Sequence, residues 1–87
     1  MDKSIHTDEY AALVDLLREA RATAGLTQVQ LAEKLGQSQS FVSKMEVGER
    51  RLDAVQLRTL CLALGTTLAA LVAEWEKRLA TRRKGRK

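Results

Sequence analysis

Between Gly25 and Gly48 the chain has room for two helices and almost nothing else. Apolar residues recur at Leu31, Ala32 and Leu35, then again at Phe41, Val42 and Met45, the three-to-four spacing of a helix with one buried stripe. Only Gly36, Gln37 and Ser38 separate the two runs. Helices over 28–35 and 39–47 are about two turns each and too short to persist alone in water. They survive only by packing on each other and on a larger scaffold.

The rest of the chain offers that scaffold. The spacing predicts helices over 8–24, 53–64 and 68–82, giving five in all. The first places Tyr10, Leu13, Val14, Leu17 and Ala24 on one face. The fourth places Val55, Leu57, Leu60, Cys61 and Leu64 inward, and the fifth Leu68, Leu71, Val72, Trp75 and Leu79. Gly25, Gly36, Gly48 and Gly65 each follow an apolar run, where a residue free to take left-handed angles ends a helix. Thr27 with Gln30 and Asp53 with Gln56 match the capping-box pattern, and Ser38 and Thr67 suit single N-caps. No proline interrupts these segments, and there is no strand alternation, internal repeat or inter-domain linker. The expectation is an all-α, compact five-helix domain over 1–80 with a long C-terminal helix, followed by a basic, disordered tail over 81–87.

Charge alone says little about partners. The net charge is +4, but residues 77–87 carry seven Lys or Arg and no acid. Residues 1–76, with eight bases and eleven acids, stand at −3, so a nucleic-acid partner must be argued from particular positions. The lone cysteine, Cys61, has no partner for an internal disulfide and falls on the inner face of the fourth helix, where it reads as a small core hydrophobe. The first ten residues lack the apolar core of a signal peptide, and the most apolar stretch, 60–73, is shorter than the ~20 residues of a membrane span. A cytoplasmic protein without a membrane partner is expected.

The short pair makes demands that this sequence meets. A small residue is needed inside the first helix where the second crosses closely, and Ala32 is there. A glycine suits the turn four residues later, at Gly36, and Leu31, Leu35, Val42 and Met45 all face inward. This is a helix-turn-helix. With Arg21 seven residues before Gln28, then "TQ..LA..LG", "S..VS..E.G.R" and "L..L..ALG" in register, residues 13–72 resemble the phage-repressor (Cro/Xre-type, lambda-repressor-like) family. Val47 departs from the pattern, which often has a polar residue there.

The resemblance implies a DNA-binding transcriptional regulator, with the helix over 39–47 entering the major groove. Its outward residues Gln39, Ser40, Ser43 and Lys44 are then the base-reading candidates. Glutamine reads adenine bidentately, serine is permissive, and lysine addresses guanine or phosphate. Gln28, at a helix N-terminus, takes the role of phosphate clamp. Ser38, Arg50 and Arg51 are further phosphate-binding candidates. The family pairs Arg21 with Glu46 as a structural ion pair that ties the first helix to the end of the third.

Other chemistries find no residues to stand on. His6 lies near the chain end with no second histidine, the serines lack a placed base, and no phosphate-loop pattern occurs, so neither catalysis, a metal nor a cofactor is expected. Leu71, Trp75 and Leu79 extend the apolar stripe of the fifth helix and are candidates for a homodimer interface; folding back on the first helix is the competing reading. Two copies about 34 Å apart would read a near-palindromic operator as one unit. The chain is thus expected to act at the nucleoid as an operator-binding repressor, with autoregulation among its expected roles. Glu33 and Lys34 are candidates for touching RNA polymerase. The rival is an antitoxin-like interaction module that neutralises a partner and binds DNA secondarily.

Overall fold

The computed structural model describes residues 7–86, with side chains described as far as Thr81. His6 and the side chains of 82–87 lie outside the described residues. Five helices follow in order: α1 (Asp8–Thr23), α2 (Gln28–Leu35), α3 (Gln39–Glu46), α4 (Ala54–Ala63) and α5 (Leu68–Arg86). Among the described residues there is no strand. No single helix is long and apolar enough to cross a membrane.

Short-range hydrogen bonds start and stop the helices. Thr27 Oγ1 accepts from Gln30 N at 3.0 Å while Gln30 Oε1 accepts from Thr27 N at 2.9 Å. Asp53 and Gln56 repeat this exchange at 2.7 and 3.0 Å. Ser38 Oγ accepts from Phe41 N at 3.1 Å, and Thr67 Oγ1 accepts from Ala70 N at the same distance. Thr7 caps α1 in the same way. Each bond satisfies an N–H that a helix start leaves without a partner. Gly36, at φ 67°, ends α2 in the left-handed region, and Gln37 N then reaches back to Ala32 O at 2.9 Å.

α2 packs chiefly on α3. α1 packs against α3 and α5, and α4 bridges α2 and α5. α4 and α5 meet at 102°. The core gathers Leu13, Leu16 and Leu17 of α1, Leu31 and Ala32 of α2, Val42 and Met45 of α3, Leu60, Cys61 and Leu64 at α4, and Leu71 of α5. Leu31, Met45 and Leu60 are each 1% exposed, so the two short helices draw their stability from this shared interior. Phe41, Leu35, Leu57 and Trp75 pack against its edge.

Three expectations are corrected. Val55 is 75% exposed, because α4 begins only at Ala54 and its buried face is set by Leu60, Cys61 and Leu64. Ala24 is exposed as the C-cap of α1, while Ala12 and Leu16 are buried instead. α5 continues as helical backbone to Arg86 rather than giving way to disorder from 81; Ala, Arg and Lys are good helix formers, and cations favour a helix C-terminus.

Candidate nucleic-acid interface

Packing of the two short helices brings their polar ends together. α2 begins with Gln28 and α3 begins with Gln39, and Gln39 Nε2 donates to Gln28 Oε1 at 3.1 Å. Gln28 Nε2 in turn donates to Glu46 Oε1 at 3.0 Å. Glu46 closes α3 and is 2% exposed, the one charged side chain among the buried described residues. Its carboxylate takes Arg21 Nε at 2.6 Å and Arg21 Nη2 at 3.0 Å. Arg21 Nη1 donates to Leu26 O at 2.9 Å, and Arg18 Nη1 donates to the Glu46 backbone oxygen at 3.2 Å. The Glu46 hydrogen bond raises the Arg21 pKa still further, so this guanidinium stays charged. No buried side-chain polar atom in the described residues lacks a partner. A run of bonds therefore links α1, the end of α3, the start of α2 and the start of α3.

The rest of the α3 surface is open. Gln39, Ser40 and Lys44 are exposed and Ser43 is half-buried, all on the side away from Val42 and Met45. Ser38 is exposed; its hydroxyl oxygen is engaged as the cap of α3, which leaves its O–H to donate outward. Gln28 is half-buried, with one N–H on Glu46 and a second N–H remaining. Val29, next along α2, is 49% exposed.

Arg50 and Arg51, on the segment after α3, lie on aromatic faces. The Arg50 guanidinium sits 4.9 Å from the Phe41 ring centroid and that of Arg51 sits 4.3 Å from the Tyr10 ring. Tyr10 Oη donates to Arg50 O at 3.3 Å, and burial pushes the Tyr10 pKa up, which keeps that proton in place. Stacking of this kind holds a long cationic side chain near one geometry.

The apolar stripe of α5 is turned toward the rest of the molecule. Leu71 is 5% exposed and belongs to the core, which corrects its assignment to a surface between copies. Trp75 packs on the core edge, and its indole N–H donates to Glu9 O at 2.9 Å. Leu79 is half-buried. Arg78 forms a bidentate pair with Glu19, at 2.6 and 3.1 Å, which fastens α5 to α1. That hydrogen bond holds the Glu19 pKa below the ordinary carboxylate value.

Most of the chain matches known regulators. The family model described as Helix-turn-helix covers residues 17–71. The chain belongs to the Xre-type helix-turn-helix family. It is 49% identical to an XRE-family like protein from Pseudomonas syringae pv. tomato, over 86% of this chain and 92% of that one, with a TM-score of 0.79. It is 31% identical to the clp gene regulator ClgR from Corynebacterium glutamicum, over 86% of this chain and 80% of that one, with a TM-score of 0.75. The restriction-modification controller protein C.Esp1396I shares the fold at 19% identity, with 86% and 99% of the two chains covered and a TM-score of 0.78. Comparison with curated protein sequences gives no match. As a member of this family the chain is a DNA-binding transcriptional regulator.

The sequence pointed to these side chains but not to how they are joined. The Gln28–Gln39 bond, the Arg18 contact and the two stacked arginines all cross between elements. Phe41 and Tyr10, at positions that read only as core, were the available signal for the stacking.

Proposed function

We propose that this regulator is a repressor that binds a near-palindromic operator as a homodimer, acting on promoters that include its own. The supporting observation is the exposed row on α3, Gln39, Ser40 and Lys44, whose helix is tied to α1 by the part-buried Arg21–Glu46 pair. With α3 in the major groove, Gln39 and Lys44 read bases, while Ser40 and Ser43 address bases or the adjoining phosphates. Gln28 gives its remaining N–H to a phosphate at the start of α2, beside the backbone N–H groups and positive dipole end there. Ser38 donates its hydroxyl proton to the same strand. Arg50 and Arg51, held on their aromatic supports, meet the flanking phosphates.

A single eight-residue reading helix contacts few base pairs. Two copies spaced by about 34 Å double the site and give useful affinity. The exposed parts of Trp75 and Leu79 on α5 supply the contact between copies. Repression follows where the operator overlaps a promoter and excludes polymerase, and the site of action is the nucleoid in the cytoplasm. Where an operator instead lies beside a promoter without covering it, activation is the counterpart, with Glu33 and Lys34, exposed on α2, offered to polymerase.

The test is hydroxyl-radical footprinting at about 0.15 M salt on the DNA upstream of the gene, with a randomised duplex pool in parallel. The expected result is two protected half-sites one helical turn apart. Lack of specific protection on both substrates rejects the reading and leaves the antitoxin-like alternative. Sedimentation of the free and bound protein decides the dimer: a 1:1 complex on a full operator rules it out.

A further inference from the structure

Arg50 is exposed, yet it is held at three points. Its backbone N–H donates to Lys44 O at 3.2 Å, beside the Glu49 N–H at 2.9 Å, which ties it to the last turn of α3. Its backbone oxygen accepts from Tyr10 Oη of α1 at 3.3 Å. Its guanidinium lies over the ring of Phe41, 4.9 Å from the centroid, and Phe41 in turn packs against the core. The charge is left open. Arg21 is paired with Glu46 and Arg78 with Glu19, but among the described residues Arg50 has no carboxylate partner. A ring face attracts a guanidinium without neutralising it.

We propose that Phe41 and Tyr10 are positioning residues for DNA binding: they hold Arg50 ready for a backbone phosphate beside the groove that α3 enters. This rests on the phosphate-contacting role of Arg50 proposed above and adds what prepares the contact. An arginine loose in water gives up rotamer freedom when it meets a phosphate, and that loss weakens binding. Arg50 has given up much of that freedom before DNA arrives. Because Phe41 belongs to α3, seating that helix carries the arginine to the flank in the same movement. Tyr10 adds α1 to the arrangement, with its hydroxyl on the Arg50 backbone and its ring under Arg51 at 4.3 Å. Neither aromatic ring has to touch DNA.

The wild-type protein first selects its site from a randomised duplex pool, and dissociation constants on that duplex are then measured across a range of salt. Arg50→Gln should lower the slope of log Kd against log salt by about 0.9 per protomer, the share of one phosphate contact. Phe41→Leu keeps an apolar side chain at the core edge and removes the ring face. It should weaken binding about two- to tenfold per protomer, the scale of ordering one such side chain, with the selected consensus unchanged. In the Arg50→Gln background the same substitution should change nothing, because its effect passes through the arginine.

A Phe41 that merely supports the fold would weaken binding alike in both backgrounds, and that result overturns its positioning role. Tyr10→Phe is the second variant: it keeps the ring under Arg51, removes only the bond to Arg50 O, and decides the matter should thermal unfolding show that Phe41→Leu does not fold. It should weaken binding by about twofold or more, the scale of one hydrogen bond, and again only where Arg50 is present. Wild-type affinity in a folded Phe41→Leu or Tyr10→Phe protein overturns the positioning role of that residue and leaves the Arg50 contact standing. An Arg50→Gln protein with the wild-type slope overturns that contact and the inference with it, whereas a wild type that selects no site overturns the DNA-reading function itself.

Discussion

Replacing Arg21 by methionine should unfold this domain far more readily than any surface substitution. Methionine keeps most of the apolar stem but removes three donors: the two on Glu46 and the one on Leu26 O. Glu46 stays where it is, 2% exposed, with Gln28 as its remaining side-chain donor. Stranding a buried charge costs about 3–5 kcal/mol. Arg21 itself is 20% exposed, which admits some water to the vacated space and favours the lower end of that range. For a domain of this size each kcal/mol is worth about 4–8 °C, so a loss near 3 kcal/mol lowers the melting temperature by roughly 12–24 °C. Thermal unfolding followed by circular dichroism at pH 7 measures it. The double variant Arg21→Met with Glu46→Leu removes both charges and should recover most of the loss, since an apolar pair can stand in for a buried ion pair. A single variant that loses less than about 1 kcal/mol, the range of exposed pairs, refutes the reasoning. So does a double variant as unstable as the single.

Other substitutions separate local from tertiary causes. Leu60→Ala, at a side chain 1% exposed in the core, should cost about 2–5 kcal/mol in denaturant unfolding, whereas Val55→Ala, at 75% exposed, should change stability by less than about 0.5 kcal/mol. Gly36→Ala meets no atom within 4 Å of the new Cβ, yet its φ of 67° should still cost about 1 kcal/mol in the same assay, through backbone strain alone. The Arg78 bond lowers the Glu19 pKa, so the ionised form is favoured by folding and its contribution is present at neutral pH. The difference between wild type and Glu19→Gln in acid titrations of stability should therefore shrink once pH falls below about 4.3, as Glu19 takes up a proton.

What could be read from the sequence follows the range of the interactions concerned. Thr27, Ser38, Asp53 and Thr67 cap helices by bonds that span three residues, and Gly36 ends α2 by its own backbone freedom. Such features are local and therefore legible. The Arg21–Glu46 contact spans 25 positions, and only the family resemblance suggested it. Gln28 and Gln39 lie 11 apart on separate helices, and their bond depends on how closely α2 and α3 cross. No spacing rule signals that distance. Val55 failed for a related reason. A 3.6-residue period assigns faces, but near a helix start the neighbours decide which face is covered, and Val55 is left 75% exposed. On α5 the apolar stripe was read correctly as a stripe, but whether it covers the protomer or a second copy is a question of tertiary packing. Leu71 answers it for the core, and the Trp75–Glu9 bond ties that part of α5 to α1.

The central claim is that the exposed row beginning at Gln39 reads bases while Gln28 holds the backbone. Selection from a randomised duplex pool at about 0.15 M salt, run with wild type, Gln39→Ala and Gln28→Ala, tests it most directly. The account predicts a near-palindromic consensus for wild type, loss of preference at one base pair per half-site for Gln39→Ala, and an unchanged consensus with uniformly weaker binding for Gln28→Ala beyond the position it shares with Gln39. An unchanged consensus for Gln39→Ala would contradict it.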